Sequence, residues 1–169
     1  VKGEYENCEF VDCDLSNLDL SGFGFSECRF SGCNVSLAKI SQTAFKDIRF
    51  VECKLMGLHF ENCNTFLFAI ECDRCTLNLS SFYKLNLKRS QFKNCTLQEV
   101  DFTESDLSSS ILDCCDLTGA IFEHTILEKT DFRSAYNYSI DPEKNRIRKA
   151  RFSLSGVGGL LEKYGIEIE

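Results

Sequence analysis

The sequence predicts an all-β solenoid: a square coil of stacked 20-residue turns, closed at its C-terminal end by a short helix. Three observations lead there. Every fifth residue from Tyr5 to Phe60 is apolar, through Phe10, Leu15, Leu20, Phe25, Phe30, Val35, Ile40, Phe45, Phe50 and Leu55. At 43% hydrophobic residues, chance gives such a run about four times in 100,000. A second run, displaced by two residues, extends from Leu67 through Cys72, Leu77 and Phe82 to Phe132. Finally, residues 20 apart match in kind: Tyr5 with Phe25 and Phe45, and Phe82 with Phe102 and Phe122. One column, Cys13, Cys33, Cys53, Cys75, Cys95 and Cys115, continues across the displacement.

A period of five suits neither ordinary element. Five residues advance an α-helix by about 500°, so the apolar stripe would wander round the cylinder. In a strand an odd step reverses the face and sends alternate apolar residues into water. The chain must therefore bend once per pentapeptide, and four bends per 20-residue turn make a square. Two residues before each centre the chain prefers something small, as at Cys8, Cys28, Ala38, Thr43, Ser90, Ser105, Ser110 and Thr125. Just before the centre come polar residues such as Asp14, Asn34, Asp101, Asp106 and Asp116, and Ser follows it six times running from Ser16 to Ser41. Such side chains hydrogen-bond nearby backbone and support tight turns. Gly22, Gly32, Gly57 and Gly119 fall two residues after a centre, where a corner wants permissive φ. The seven-residue step from Phe60 to Leu67 places a two-residue register slip near residues 61–66.

This reading assigns residues 1–135 to the coil and 136–169 to a loop, a last repeat and a cap. Tyr136 to Arg146, with Asp141-Pro142, is expected to leave the coil as a loop. Ile147 and Phe152 then resume the apolar series. Ser155 is the expected N-cap of a helix that places Val157, Leu160, Leu161 and Tyr164 on one face and ends at Gly165. Ile166-Glu167-Ile168 alternates like a short strand. The expected use of this tail is to cover an unpaired coil end.

Segments such as Cys13-Asp14-Leu15-Ser16-Asn17 and Cys115-Asp116-Leu117-Thr118-Gly119 resemble the pentapeptide-repeat family. Its unit is a small residue, Asp or Asn, then Leu or Phe, then two variable residues. The resemblance runs from about Gly3 to Ala135. It implies a right-handed quadrilateral β-helix, a rod roughly 31 Å long at about 4.8 Å per layer. A more distant resemblance, to quinolone-resistance members of the family, implies imitation of DNA toward DNA gyrase or topoisomerase IV.

The chemistry-bearing residues read as structural. Nine of the eleven cysteines (Cys8, Cys13, Cys28, Cys33, Cys53, Cys63, Cys75, Cys95 and Cys115) occupy the small inward position, where free Cys acts as a small hydrophobe. No secretory signal opens the sequence, so reduced thiols and a cytoplasmic location are expected. Cys72 and Cys75 make half a zinc site, without a second pair at usable spacing. His59 and His124 are expected to face solvent, and neither has a nucleophile at motif spacing. Gly156-Val157-Gly158-Gly159 lacks the strand and the Lys-Ser/Thr of a phosphate loop and reads as close packing. No catalytic residue, metal or cofactor is expected. The longest apolar run, Phe66 to Ile70, is far below the roughly 20 residues of a membrane span.

Charge narrows the partners. A net charge of −7 disfavours direct contact with nucleic acid or anionic membrane, both polyanions. Acids dominate from Gly3 to Cys28 and from Gln98 to Asp131, with a basic segment of Lys84, Lys88, Arg89 and Lys93 between them. The expected function is a non-catalytic protein-interaction scaffold. The alternative is a DNA mimic bound to a type II topoisomerase, for which Glu99, Asp101, Glu104, Asp106, Asp113 and Asp116 are the candidate carboxylates. A homodimer through the cap is also expected, because one coil end can bury only part of Val157, Leu160, Leu161, Tyr164, Ile166 and Ile168.

Overall fold

The computed structural model describes residues 3–167. Nine short strands alternate with tight corners: β1 (Glu4–Glu6), β2 (Glu9–Val11), β3 (Gly24–Ser26), β4 (Arg29–Ser31), β5 (Ala44–Lys46), β6 (Ile48–Val51), β7 (Ile70–Asp73), β8 (Gln91–Lys93) and β9 (Ile111–Asp113). All pairing is parallel, each strand with its counterpart in the adjacent turn. One side of the square is the sheet β1-β3-β5, and the next is the six-stranded sheet β2-β4-β6-β7-β8-β9. Single bridges build the other two sides, one through Asp14, Asn34, Lys54, Thr76, Thr96, Asp116 and Tyr136. The fold is a right-handed quadrilateral β-helix.

Corners explain the five-residue period. Gly22, Gly32, Gly57 and Gly119 all have φ between 64° and 71°. The same left-handed conformation recurs at non-glycine corners, among them Asn7, Asn17, Leu37, Leu79, Arg89 and Glu99. An L-residue pays about 1–2 kcal/mol for this. In return the corner amide reaches the next turn: Asn7 N–H donates to the Ser26 carbonyl at 3.0 Å, and Leu79 N–H to Gln98 at 2.9 Å. The residue just before the centre reinforces the bend. Asp19, Asn34, Asn86 and Asp106 each accept from the backbone N–H two residues on, at 3.0–3.1 Å.

Inside, the centres stack in register. Phe60, Phe82, Phe102 and Phe122 lie nearly parallel, with centroids 4.7, 5.4 and 5.2 Å apart. Phe10, Phe30 and Phe50 make a second column at 4.6 and 5.1 Å. Adjacent columns meet edge to face, as at Phe82 and Phe92, the arrangement aromatic quadrupoles favour. Tyr5, with no turn beneath it among the described residues, is 37% exposed, whereas Phe45 in the same column is buried.

The register slip is real, but it lies later than the spacing suggests. Asn64 still bridges Ala44, 20 residues back, whereas Ile70 pairs with Ile48, 22 back. Cys63-Asn64-Thr65-Phe66-Leu67 therefore keeps the register of the turn below, with Thr65, exposed here, at the centre position and Leu67 at the left-handed corner. The extra residues are Phe68 and Ala69. Leu67 is consequently not a core residue and is 64% exposed. Phe68 turns inward instead and packs edge-on against Phe60 at 6.0 Å.

The tail departs from expectation in three ways. Residues 136–146 stay on the coil path, with Tyr138 and Ile140 buried in its core. The helix is 3₁₀, over Leu154–Leu160 and Glu162–Tyr164, and its N-cap is Ser153, whose side chain accepts from Gly156 N–H, not Ser155. Ile166 and Glu167 form no strand, and Ile168 lies outside the described residues. Close approach explains the glycines. A Cβ at Gly156 would fall 2.1 Å from the Tyr138 hydroxyl, and one at Gly159 would fall 2.2 Å from the Tyr138 carbonyl. Phe152 continues the aromatic column, stacked on Phe132 at 5.3 Å, and Gly165 ends the cap at φ 59° as expected. Among the described residues no helix is long and apolar enough to cross a membrane.

Phe102 tests the stacked core, because rings above and below cannot close on a hole without breaking register. Phe102→Ala is expected to lower unfolding free energy by about 3–5 kcal/mol in a urea titration. A loss below about 1 kcal/mol would contradict the inward column.

Candidate functional site

The thiols are spent on structure. All eleven cysteines are free, eight of them buried, and Cys114 alone is exposed. Cys33, Cys53, Cys63 and Cys115 each donate Sγ–H to a carbonyl 23 residues back, at 3.3–3.4 Å. Thr43, Ser110 and Thr130 do the same with hydroxyls at 2.7 Å. The small inward position thus selects a side chain that fits and can donate to a buried carbonyl. Burial pushes the Cys33 thiol up to about 11, and it raises Cys63 and Cys72 as well. These are protonated, unreactive thiols. Among the described residues no group of three or more His, Cys, Asp or Glu could hold a metal ion. His59 Nδ1 lies 2.9 Å from Glu61 on an exposed side, with no nucleophile in contact.

The six candidate carboxylates are spread round the square. Asp101 bridges Ser81 and Ile121, Asp106 bridges Asn86 and Ile126, and Asp116 bridges Thr96 and Tyr136. Asp113 sits over Lys93 in β9. All six fall within one turn, so none stacks on another. Most are also engaged: Asp101 accepts Thr103 N–H at 2.8 Å, Asp106 pairs with Lys88 at 3.1 Å, and Asp113 accepts Ser134 Oγ–H at 2.7 Å. Glu104 lies 3.5 Å from Lys84. Glu99 occupies a corner at φ 54°. Asp116 is the most constrained: Thr118, Gln98 and Asn137 donate to it at 2.7, 2.8 and 2.9 Å. Partial burial opposes its ionisation, but these donors outweigh it and hold the carboxyl at about 2.

The cap residues divide. Val157, Leu160 and Leu161 are partly buried, Leu160 against the core, while Tyr164 and Ile166 are exposed. Leu154 is 92% exposed. Lys163 ties the cap down, reaching Asp141 at 2.7 Å and Glu143 at 2.8 Å.

One grouping escaped the sequence reading. The basic residues Lys84, Lys88 and Arg89 line a recess together with Thr65, Leu67 and Phe68 of the slipped turn. Cys63-Asn64, in the small and polar repeat positions, was the signal that could have placed the slip beside them.

A family profile for a pentapeptide repeat region matches residues 4–82, and one for pentapeptide repeats (eight copies) matches residues 86–123 and 101–136. The chain belongs to the pentapeptide-repeat family. Among solved pentapeptide-repeat structures, this member is similar in fold to a trypsin-treated form of QnrB1, a plasmid-mediated fluoroquinolone resistance protein. That similarity has a TM-score of 0.61 and 21% identity, over 98% of this chain and 90% of that one. HetL, a pentapeptide repeat protein involved in heterocyst differentiation regulation from the cyanobacterium Nostoc, aligns at 15% identity and a TM-score of 0.38, over 92% and 88% of the two chains. No curated protein sequence matches this pentapeptide-repeat chain.

Two measurements follow from these side chains. A thiol reagent under native conditions is expected to modify Cys114 first, Cys8 and Cys13 more slowly, and the rest only on unfolding, when all eleven react. Asp116, ordinarily at 3.8 and here at about 2, stabilises the fold in full above pH 3.8 and loses that contribution as pH falls toward 2. Thermal melts of Asp116→Asn should therefore lie below wild type at pH 7 and converge with it near pH 2.

Proposed function

We propose that this protein is a non-catalytic scaffold whose flat, rigid sides present side chains to a protein partner. The observation that carries this reading is the consumption of its reactive groups. Buried thiols donate to carbonyls and carboxylates brace turns, while the ladder holds the outward side chains at fixed spacing. A pull-down from cell lysate on the immobilised chain, with gyrase and topoisomerase IV probed explicitly, is expected to retain a partner stoichiometrically. Recovery of no partner at micromolar bait would count against the scaffold.

A second reading is DNA mimicry toward a type II topoisomerase, favoured by the net charge of −7 and by the fold shared with QnrB1. The confinement of the six carboxylates to one turn weighs against it, since a duplex presents phosphates in two continuous rows, about 3.4 Å apart along the axis within each strand. Gyrase supercoiling assays are therefore expected to show no inhibition. Inhibition that Asp101→Lys/Asp106→Lys abolishes at unchanged melting temperature would favour the mimic instead.

Dimerisation through the cap belongs to the same proposal. Leu154, Tyr164 and Ile166 leave apolar surface exposed beside the partly buried Val157, Leu160 and Leu161. Light scattering at micromolar concentration is expected to give twice the 19.2 kDa chain mass, and Leu161→Asp to halve it. A wild-type monomer would refute this arrangement.

A further inference from the structure

The ladder opens on the side that carries β1, β3 and β5. Asn64 lies over Ala44 and Asn86 lies under Asp106, but Asn64 and Asn86 do not pair with each other. Vertical neighbours are normally joined by three backbone bonds. Asn34 N–H donates to Cys13, Leu15 N–H to Asn34, and Asn17 N–H to Ser36. The equivalents here are unmade. Among the described residues, the Asn86 N–H and the carbonyls of Asn86 and Lys88 have no backbone partner above the opening. Nor do the Cys63 carbonyl and the N–H groups of Thr65 and Leu67 below it. Phe68 and Ala69 have swung this turn away from the next, leaving a recess of about 680 Å³ between residues 65–68 and 84–89.

What lines the recess is unlike the rest of the chain. In a protein of net charge −7, it is bordered by Lys84, Lys88 and Arg89, and the acids Glu27, Asp47 and Glu71 come in only where the opening continues past Phe68, Lys88 and Arg89. Lys84 and Lys88 lean on Glu104 and Asp106, and Arg89 makes no ion pair among the described residues. Leu67, Phe68 and Leu85 supply apolar lining, and the neighbouring Phe66 is 68% exposed, with Lys46 over its ring. Two unpaired strand edges, an apolar floor and a cationic border match one kind of ligand.

We propose that this opening is a docking slot for an extended acidic peptide segment of a partner protein, which enters as a strand between the two edges. Main-chain pairing would hold it, as in other strand additions. Its alternate side chains point opposite ways, so apolar ones meet Phe68 and Leu85 while carboxylates meet Lys84, Lys88 and Arg89. A nucleic acid is disfavoured by the net charge of the chain. The inference rests on the scaffold reading and names the chemistry of its partner.

The probe is a fluorescein-labelled hexapeptide of alternating Val and Glu, followed by anisotropy. Saturable binding is expected, weakening with added salt and at least about tenfold weaker for Lys88→Gln/Arg89→Glu at unchanged melting temperature. Deleting Phe68 and Ala69, which restores the 20-residue register, should abolish binding and keep the fold. A peptide N-methylated at alternate amides, or one with Lys for Glu, should not bind. Equal binding by the charge variant or by either control peptide would overturn the slot, as would no binding at all or preference for a single-stranded oligonucleotide. Lysate partners retained equally by Lys88→Gln/Arg89→Glu would leave the scaffold standing and remove only the slot.

Discussion

Each turn of this chain must lie in register on the turn beneath it, about 4.8 Å away, and the other features follow from that constraint. In-register stacking turns each sequence position into a vertical column, so a side chain that fits once fits at every level. Planar rings stack at that spacing, which is why Phe60, Phe82, Phe102 and Phe122 succeed one another with centroids 4.7–5.4 Å apart. The same constraint turns a carbonyl of each turn toward the small residue of the next. Cys, Ser and Thr can answer it from within the available volume. The high cysteine content thus serves packing.

Corner strain is the cost of the square. A left-handed residue is needed at almost every bend, and only a few of these are glycine. Leu37, Leu79 and Arg89 hold the same conformation because the corner amide gains a partner in the next turn, a bond worth about 1 kcal/mol and costly to leave unmade when buried. Carboxylates and amides just ahead of the centre brace the bend from outside. This chemistry also bears on the acidic surface. Asp101, Asp106 and Asp116 hydrogen-bond to backbone N–H groups two residues on, so their number follows from turn geometry before any partner is considered.

Specificity in so regular a rod has to come from its irregular places. There are two: the turn carrying Phe68 and Ala69, and the C-terminal cap. At the first, extra chain breaks three interlayer bonds and exposes Phe66 and Leu67 beside a basic border. At the second, Lys163 clamps a 3₁₀ segment to Asp141 and Glu143 while Leu154 stays in solvent. The smooth sides between them supply rigidity and spacing.

The sequence by itself determined the coil: its period, its turn length, its inward columns and the left-handed corners at the glycines are all repeated at fixed short spacing. Repetition makes such features legible, because each unit tests the same constraint again. The breaks had no such redundancy. Leu67 continues the apolar count as well as Thr65 does the unit pattern, and only the pairing of Asn64 with Ala44 decides between them. Tyr138 and Ile140 look like loop residues until the path of the chain carries them into the core. The cap reads as an α-helix by its apolar spacing but winds as 3₁₀, and only the fold brings Gly156 and Gly159 against Tyr138. Likewise, the acids are adjacent in sequence, and the period already spreads them round one turn, but only the tertiary structure shows which donors hold them, as Gln98, Thr118 and Asn137 hold Asp116. Periodic, local interactions are written in the chain; contacts made once, between distant residues, are decided by the fold.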